Sequence, residues 1–252
     1  MEDKKGDFYG LGIAPGILEV LKKHGFYTPT PIQEQSIPVA IEGKDLMGIA
    51  QTGTGKTLAF GIPMIQSVLA GKGVGLVIAP TRELALQIDE TFRKIGTPLN
   101  LRTAVLIGGE SIGKQIRDLH RSPQIIIGTP GRILDHMSQK TLNLKPVTAL
   151  VLDEADRMLD MGFAPQLKRI ISVLPQNRQT MLFSATMPEE IIRIAKTYMK
   201  LPIRVEIARS GTTVKDVTQE LFFVSQEEKP RLLEKVLQEY REIGRASCRE
   251  RV

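Results

Sequence analysis

A glycine-rich segment near the start of the chain has the composition of a loop that binds phosphate groups. Residues 50–57 read AQTGTGKT, directly after a predicted strand and at the start of a predicted helix. Gly53 and Gly55 let backbone N–H groups turn toward phosphates, and the helix N-terminus favours their negative charge. Lys56 would reach the β- and γ-phosphates, and the Thr57 hydroxyl could bind Mg²⁺. The first position holds alanine where the strict pattern has glycine, so the match is to a relaxed form of the motif.

Two acidic residues after a second apolar run could complete such a site. Residues 153–156 read Asp-Glu-Ala-Asp and follow the strand-like run TALVL. Carboxylates at the carboxyl end of a buried parallel strand face the crevice in which α/β sheets bind ligands. There Asp153 would hold the hydration shell of Mg²⁺, and Glu154 would orient and deprotonate an attacking water molecule. The alternative is a solvated acidic helix start, which the helix dipole also favours.

Seven segments together resemble the first catalytic lobe of the DEAD-box RNA helicases. They occur in that family's order, from about Phe8 to Ile207: GFYTPTPIQ at 25–33, AQTGTGKT, PTRELALQ at 80–87, Gly108–Gly109, TPGR at 129–132, DEAD, and SAT at 184–186. The resemblance implies a RecA-like α/β fold, in which helices cover both faces of a parallel sheet. It also implies ATP and Mg²⁺ as cofactors and the sugar-phosphate backbone of RNA as a partner.

The resemblance assigns adenine recognition to the GFYTPTPIQ segment. Gln33 carries one donor and one acceptor, which match N7 and N6 of adenine but not O6 of guanine. Phe26 resembles the ring that packs on the base and Phe8 the family's isolated upstream aromatic, with core packing as the alternative for both. The residues expected at the ATP site are Phe26, Thr28, Gln33, Gln51, Thr52, Gly53, Thr54, Gly55, Lys56 and Thr57. Lys56, Asp153 and Glu154 are the expected catalytic residues, and Thr57 and Asp153 would bind Mg²⁺ largely through water.

Three motifs resemble the RNA-binding elements of the family. Two of them follow a strand and open a helix, where N–H groups and an arginine can bind phosphates. The third is a glycine pair that lets another backbone approach closely. Contacts to sugar and phosphate make binding insensitive to base sequence and sensitive to salt, although Arg82 and Arg132 could instead form surface ion pairs. The expected RNA-binding residues are Pro80, Thr81, Arg82, Gly108, Gly109, Thr129, Gly131 and Arg132.

The resemblance also gives Ser184 and Thr186 a coupling role. Their hydroxyl groups would bind the carboxylates of the DEAD segment, Asp156 in particular, and so link nucleotide state to RNA binding. Small hydroxyl residues at a strand end are also ordinary turn formers. Both interpretations place these residues at the end of a strand.

Alternating strand-like and helical segments must position these residues. Short β-branched runs separated by segments of helical period predict βαβ units and a parallel sheet covered on both faces. The predicted strands are 45–50, 76–80, 103–107, 124–128, 149–152, 180–184 and 203–207. The predicted helices are 15–23, 31–41, 56–70, 82–95, 110–119, 131–139, 164–173 and 188–199.

The alternation ends after residue 207, which indicates a second region. We expect a RecA-like ATP-binding lobe at 1–208, a linker at 209–217, the truncated start of a second RecA-like lobe at 218–244, and at 245–252 a tail that could be a cloning scar. The second region would hold one strand, 218–224, and one helix, 227–242. The sequence contains no HRxGRxxR pattern, with which the family's second lobe completes the ATP site. Because an arginine stabilises the transition state of phosphoryl transfer, this chain alone should bind ATP with little hydrolysis and no unwinding.

Composition excludes several classes of protein. The 252 residues are 42% hydrophobic and 25% charged, which is typical of a globular domain, and the net charge of +6 permits a polyanionic partner without requiring one. Cys248 is the single cysteine, and no apolar run approaches the length of a membrane span. We therefore expect a cytoplasmic monomer without membrane contact. Two other functions stay open: a self-contained P-loop ATPase, for which no arginine-bearing lid is found, and a non-catalytic ATP-gated RNA-binding module.

Overall fold

The chain divides into two compact units, Met1–Gly211 and Thr212–Val252. A computed structural model describes residues 7–207 and 222–240 of the chain. Within these ranges, the first unit contains one sheet with nine α-helices, and the second contains one α-helix.

A seven-stranded sheet forms the centre of the first unit. Its strands are β1 Leu46–Ile49, β2 Val74–Ile78, β3 Thr103–Leu106, β4 Ile125–Gly128, β5 Val147–Leu152, β6 Gln179–Ser184 and β7 Ile203–Glu206. The order across the sheet is β3-β4-β2-β5-β6-β1-β7, and every pair is parallel. A strand lies at each of the seven predicted positions, so the prediction of a parallel α/β sheet is confirmed.

Helices connect successive strands, two further helices precede the first strand, and one lies in the second unit. They are α1 Pro15–Lys23, α2 Pro31–Ile41, α3 Lys56–Leu69, α4 Arg82–Gly96, α5 Ile112–His120, α6 Pro130–Ser138, α7 Ala155–Asp160, α8 Ala164–Val173, α9 Glu189–Tyr198 and, in the second unit, α10 Lys229–Tyr240. Short 3₁₀ helices span Phe8–Leu11 and Thr97–Leu99. The eight helices predicted before residue 207 are all present, whereas α7 was not predicted because six residues are too few to show a helical period.

Most of the sheet is buried on both faces, which explains why several strands are apolar throughout. Along β2, Val77 packs in one hydrophobic cluster while its neighbours Leu76 and Ile78 pack in the other. In β6, Phe183 and Leu182 divide between the two clusters in the same way. This two-residue alternation fixes the register of each strand, since a shift by one residue would exchange the two faces.

The parallel arrangement sets where the motif residues lie. Because all strands point the same way, the loops that follow them open at one edge of the sheet, which we call the carboxyl edge. The glycine-rich loop follows β1 and the DEAD segment follows β5, while the predicted RNA-binding residues and Ser184 and Thr186 follow or end β2, β3, β4 and β6. Residues as far apart in sequence as Gly53 and Thr186 are thereby brought to the same edge.

The second unit is described only in part. Residues 222–225 have no regular structure, and α10 confirms a helix within the predicted range of 227–242. Residues 218–221 of the predicted strand, the predicted linker and the predicted tail lie outside the described residues. No helix in the described ranges combines the length and the apolar character that crossing a membrane requires.

Candidate functional site

The loop between β1 and α3 depends on two glycines. Gly53 and Gly55 adopt left-handed backbone conformations, with φ of 86° and 90°, which side-chain-bearing residues rarely adopt. The Thr54 hydroxyl donates to the Gln51 carbonyl at 2.7 Å and closes the turn. The loop therefore ends directly at the N-terminus of α3, where unpaired backbone N–H groups and the helix dipole favour an anion.

Lys56 is the first residue of α3 and is 6% exposed. Its Nζ atom has no hydrogen-bond partner within the described part of the chain. A buried ammonium without a partner is costly, so its position beside the glycine-rich loop fits a phosphate group that would supply the missing acceptors. Thr57 follows on the same turn and is half-buried.

Two buried carboxylates lie across from this loop, at the end of β5. Asp153 is 2% exposed and Glu154 is 8% exposed. Burial raises the pKa of Asp153 to about 6, Lys56 opposes that rise, and Glu154 adds to it. Because Lys56 acts on this carboxyl group, its charge and that of Asp153 belong to one electrostatic site. Asp153 is an oxygen donor of the kind that Mg²⁺ prefers.

Glu154 links the glycine-rich loop to α7. One carboxylate oxygen accepts a long 3.5 Å hydrogen bond from the Thr52 hydroxyl, and the other accepts from Arg157 Nη1 at 3.1 Å. Its backbone is left-handed, with φ of 51°, which costs a non-glycine residue about 1–2 kcal/mol. Such strain at a buried carboxylate beside a loop of this type is characteristic of functional residues.

Gln33 binds the glycine-rich loop, a contact that our sequence reasoning did not foresee. Its Oε1 atom accepts from the Thr30 N–H at 2.9 Å, and its Nε2 atom donates to the Gly55 carbonyl at 3.0 Å. The side chain is 3% exposed. One lone pair and one N–H remain for a base, so the adenine contact stays a prediction. The Thr-x-x-Gln spacing, which is typical of a capping box, was the available signal for the Thr30 contact.

The aromatic residues expected near the base belong to the core. Phe8 is 3% exposed within a hydrophobic cluster, and Phe26 is half-buried against the same cluster. Thr28 is exposed. Phe8 therefore lies in the core, as its alternative interpretation had it. Phe26 contacts the core from a half-buried position, and its packing on the base stays a prediction.

The residues predicted to bind RNA lie on three adjacent loops of the carboxyl edge. Thr81 caps α4 by accepting from the Leu84 N–H at 3.2 Å. The guanidinium of Arg82 lies against Gly109, so closely that any side chain at Gly109 would collide with it. Pro80 is buried, Gly131 is exposed, and Gly108 is half-buried with free space around it.

Arg132 forms the kind of ion pair considered from the sequence, but from a largely buried position and together with a backbone contact. Its side chain is only 14% exposed, and Nη1 donates to the Glu110 carbonyl at 3.1 Å. Its Nε atom lies 3.4 Å from Asp135. The backbone N–H of Thr129, three residues before it, donates to the Leu106 carbonyl at 3.0 Å. Arg132 thus holds the loop after β3 against α6.

The three coupling residues contact one another. The Asp156 N–H donates to the Ser184 hydroxyl at 3.1 Å, and the N–H and hydroxyl of Thr186 donate to Asp156 at 2.9 and 2.8 Å. Burial works to raise the pKa of Asp156, but these hydrogen bonds outweigh it and lower the pKa overall. The end of β6 is therefore connected to the segment that carries Asp153 and Glu154.

The pKa of Asp153 leads to a prediction about stability. A folded-state pKa of about 6, above the unfolded value, means that stability is fully present at low pH and is lost as pH rises through 6. Asp153→Asn removes this dependence. The free energy of unfolding of the variant minus that of the unaltered chain should therefore rise by about 1–2 kcal/mol between pH 5 and pH 8. Urea unfolding without nucleotide or Mg²⁺ measures it.

Asp156→Asn serves as the matched control, because that carboxyl group has a lowered pKa and should show no such gain at high pH. A stability difference between Asp153→Asn and the unaltered chain that does not change with pH would contradict the assignment.

Comparison with known proteins identifies the family. The DEAD/DEAH box helicase model matches residues 30–194. The chain is 46% identical over 224 residues to the DEAD-box ATP-dependent RNA helicase CshA of Bacillus cereus, covering 88% of this chain and 42% of that protein. It is 43% identical over 242 residues to the ATP-dependent rRNA helicase RRP3 of Debaryomyces hansenii, covering 95% and 51%. The chain thus spans about half the length of these curated relatives.

A solved structure agrees with this relationship. The crystal structure of a DEAD box protein from the hyperthermophile Methanococcus jannaschii superposes with a TM-score of 0.76 at 36% identity, covering 92% of this chain and 63% of that one. The RecA-like fold predicted from the sequence is confirmed. The chain belongs to the DEAD/DEAH box helicase family and comprises the N-terminal lobe of its helicase core.

Proposed function

We propose that this chain is the ATP-binding and RNA-backbone-binding lobe of an ATP-dependent RNA helicase. Joined to the second lobe of that helicase, it would unwind short duplexes. The observation that carries the proposal is the buried, unpartnered Lys56 ammonium at the start of α3, beside the glycine-rich loop. The names of the relatives, ATP-dependent RNA helicases, agree with it. We expect a cytoplasmic monomer.

Each residue of the nucleotide site has a distinct role in this proposal. Lys56 and the N-terminus of α3 bind the phosphates, while Thr57 and Asp153 hold Mg²⁺ largely through water. When bound, Mg²⁺ neutralises charge that develops on the phosphates. Glu154 orients the attacking water and accepts its proton, for which the carboxylate already lies beside the loop at Thr52.

The loops after β2, β3 and β4 form the proposed RNA surface. Their arginines, glycines and helix N-termini suit phosphate and sugar rather than base edges, so we expect no sequence preference. Ser184, Thr186 and Asp156 join the nucleotide side to the rest of this edge, which supports the proposed coupling role.

Hydrolysis by this chain alone should be slow. Phosphoryl transfer gains about 10³- to 10⁵-fold from an arginine that stabilises transition-state charge. The family's second lobe supplies that arginine through a pattern that this sequence does not contain.

ATP turnover tests the proposed function directly. We expect slow turnover by this chain that single-stranded RNA does not accelerate, and RNA-stimulated turnover by a version extended through a complete second lobe. Glu154→Gln in the extended version should reduce turnover by at least about 100-fold while ATP still binds, because only proton transfer is removed. Fast, RNA-independent turnover by this chain would favour a self-contained ATPase and overturn the proposal.

Nucleotide selectivity tests the role of Gln33. Gln33→Ala should weaken ATP binding by about 10-fold and GTP binding by less, since the adenine pair is lost. Affinity for both nucleotides should fall to some extent, because Gln33 also donates to the Gly55 carbonyl of the glycine-rich loop. Fluorescence titration with labelled ATP and GTP measures both affinities.

Gln33→Glu is the matched variant, because it keeps the acceptor for the Thr30 N–H but cannot donate to Gly55 or to N7 of adenine. Equal binding of ATP and GTP by the unaltered chain would show that Gln33 does not select adenine.

A further inference from the structure

A network of buried polar side chains connects the loop after β3 to α6. Gln115 of α5 donates from Nε2 to the Ile107 carbonyl at 2.9 Å, and its Oε1 atom lies 3.1 Å from His136 Nε2 on α6. His136 Nδ1 lies 2.8 Å from the Thr141 hydroxyl. Gln115 is 1% exposed and His136 is fully buried. None of these residues belongs to a motif that the sequence analysis selected.

The contacts fix the direction of the two hydrogen bonds that Gln115 makes. A carbonyl only accepts, so the Gln115 NH₂ group must face Ile107 and its oxygen must face His136. His136 therefore carries a proton on Nε2. The Thr141 hydroxyl lies within hydrogen-bonding distance of His136 Nδ1, at 2.8 Å, and of the His136 carbonyl, at 3.2 Å.

The surroundings favour the neutral ring. Burial and the nearby Arg132 guanidinium lower the pKa of His136, and Asp135 opposes them. Gln115 and Thr141, which approach from outside α6, carry no charge. Within the described residues, no buried side-chain polar atom of Gln115 or His136 lacks a partner.

This network is one of two connections between the loop after β3 and α6. Ile107 directly precedes Gly108 and Gly109, and Glu110 directly follows them. The Ile107 carbonyl is held through Gln115 and His136, while the Glu110 carbonyl is held by Arg132. Both ends of the glycine pair are therefore fixed to α6, the helix that presents Gly131.

We propose that Gln115 and His136 are positioning residues for RNA, which hold the Gly108–Gly109 loop and the start of α6 at the spacing that the RNA backbone requires. This inference rests on the proposed function. Neither residue contacts the ligand. A rigid pair of backbone surfaces binds without having to be ordered first, so losing the connection lowers affinity for RNA.

Two variants that each remove one hydrogen-bonding side chain test the proposal. Gln115→Met keeps the length of the side chain but disconnects Ile107 from His136, and it should weaken RNA binding by about 3- to 10-fold. Thr141→Val removes a hydrogen bond from the other side of the same ring, away from the loop, and should leave RNA affinity unchanged. The probe is a labelled oligouridylate of about ten nucleotides, measured by fluorescence anisotropy with a non-hydrolysable ATP analogue.

A second pair of variants separates positioning from general stability. In His136→Gln, the side-chain amide would lie near the position of the ring Nε2 atom and could still donate to Gln115. In His136→Asn, the shorter side chain would place its amide near the position of Nδ1, too far from Gln115 to donate. We expect His136→Gln to bind RNA as the unaltered chain does and His136→Asn to bind like Gln115→Met. Melting temperature and affinity for the ATP analogue report whether each variant is folded.

The outcomes distinguish this inference from the function on which it rests. If the unaltered chain binds RNA and all four variants bind equally well, the positioning role is wrong and the proposed function stands. If losses of RNA affinity follow melting temperature, so that Thr141→Val loses as much as Gln115→Met, the network is only structural and the positioning role is again wrong. If the unaltered chain binds ATP but no RNA, the proposed function fails, and the positioning role with it.

Discussion

The candidate site depends on keeping three charged side chains out of water at the carboxyl edge of an apolar sheet. Lys56, Asp153 and Glu154 are each less than 9% exposed, and the ammonium has no hydrogen-bond partner in the described ranges. Such an arrangement is costly without a ligand. The sheet makes it possible, because interdigitated apolar clusters on both faces hold the ends of β1 and β5 in fixed positions. A bound nucleotide and its metal would complete the missing interactions.

The loops around these charges are connected to one another rather than free. Gln33 holds the glycine-rich loop at Gly55, Glu154 approaches it at Thr52, and Asp156 joins the end of β6 to α7. On the other side, Arg132 fixes the loop after β3 to α6. A change in the conformation of the glycine-rich loop can therefore reach the ends of several strands through short contacts. This is the physical requirement for nucleotide binding to influence a surface formed by neighbouring loops.

The sequence was sufficient for the sheet and for the family, because two-sided burial makes most strands apolar and six of the seven motif segments follow or end a strand. It did not reveal α7, since a six-residue helix is too short to show a period. It also missed the contacts of Gln33 with Gly55 and of Gln115 with His136, which join residues 22 and 21 positions apart. Such contacts depend on how the helices pack. For Phe8 and Phe26 the sequence left core packing and base stacking open, and packing decides where the rings lie.

The central claim is that the buried Lys56 ammonium is placed there for phosphate. Calorimetric titration of the unaltered chain and of Lys56→Met with ATP, and with adenosine as the phosphate-free control, tests it most directly. We expect Lys56→Met to lower affinity for ATP by about 10- to 100-fold and to leave affinity for adenosine unchanged. Equal affinity of the two proteins for ATP would contradict it.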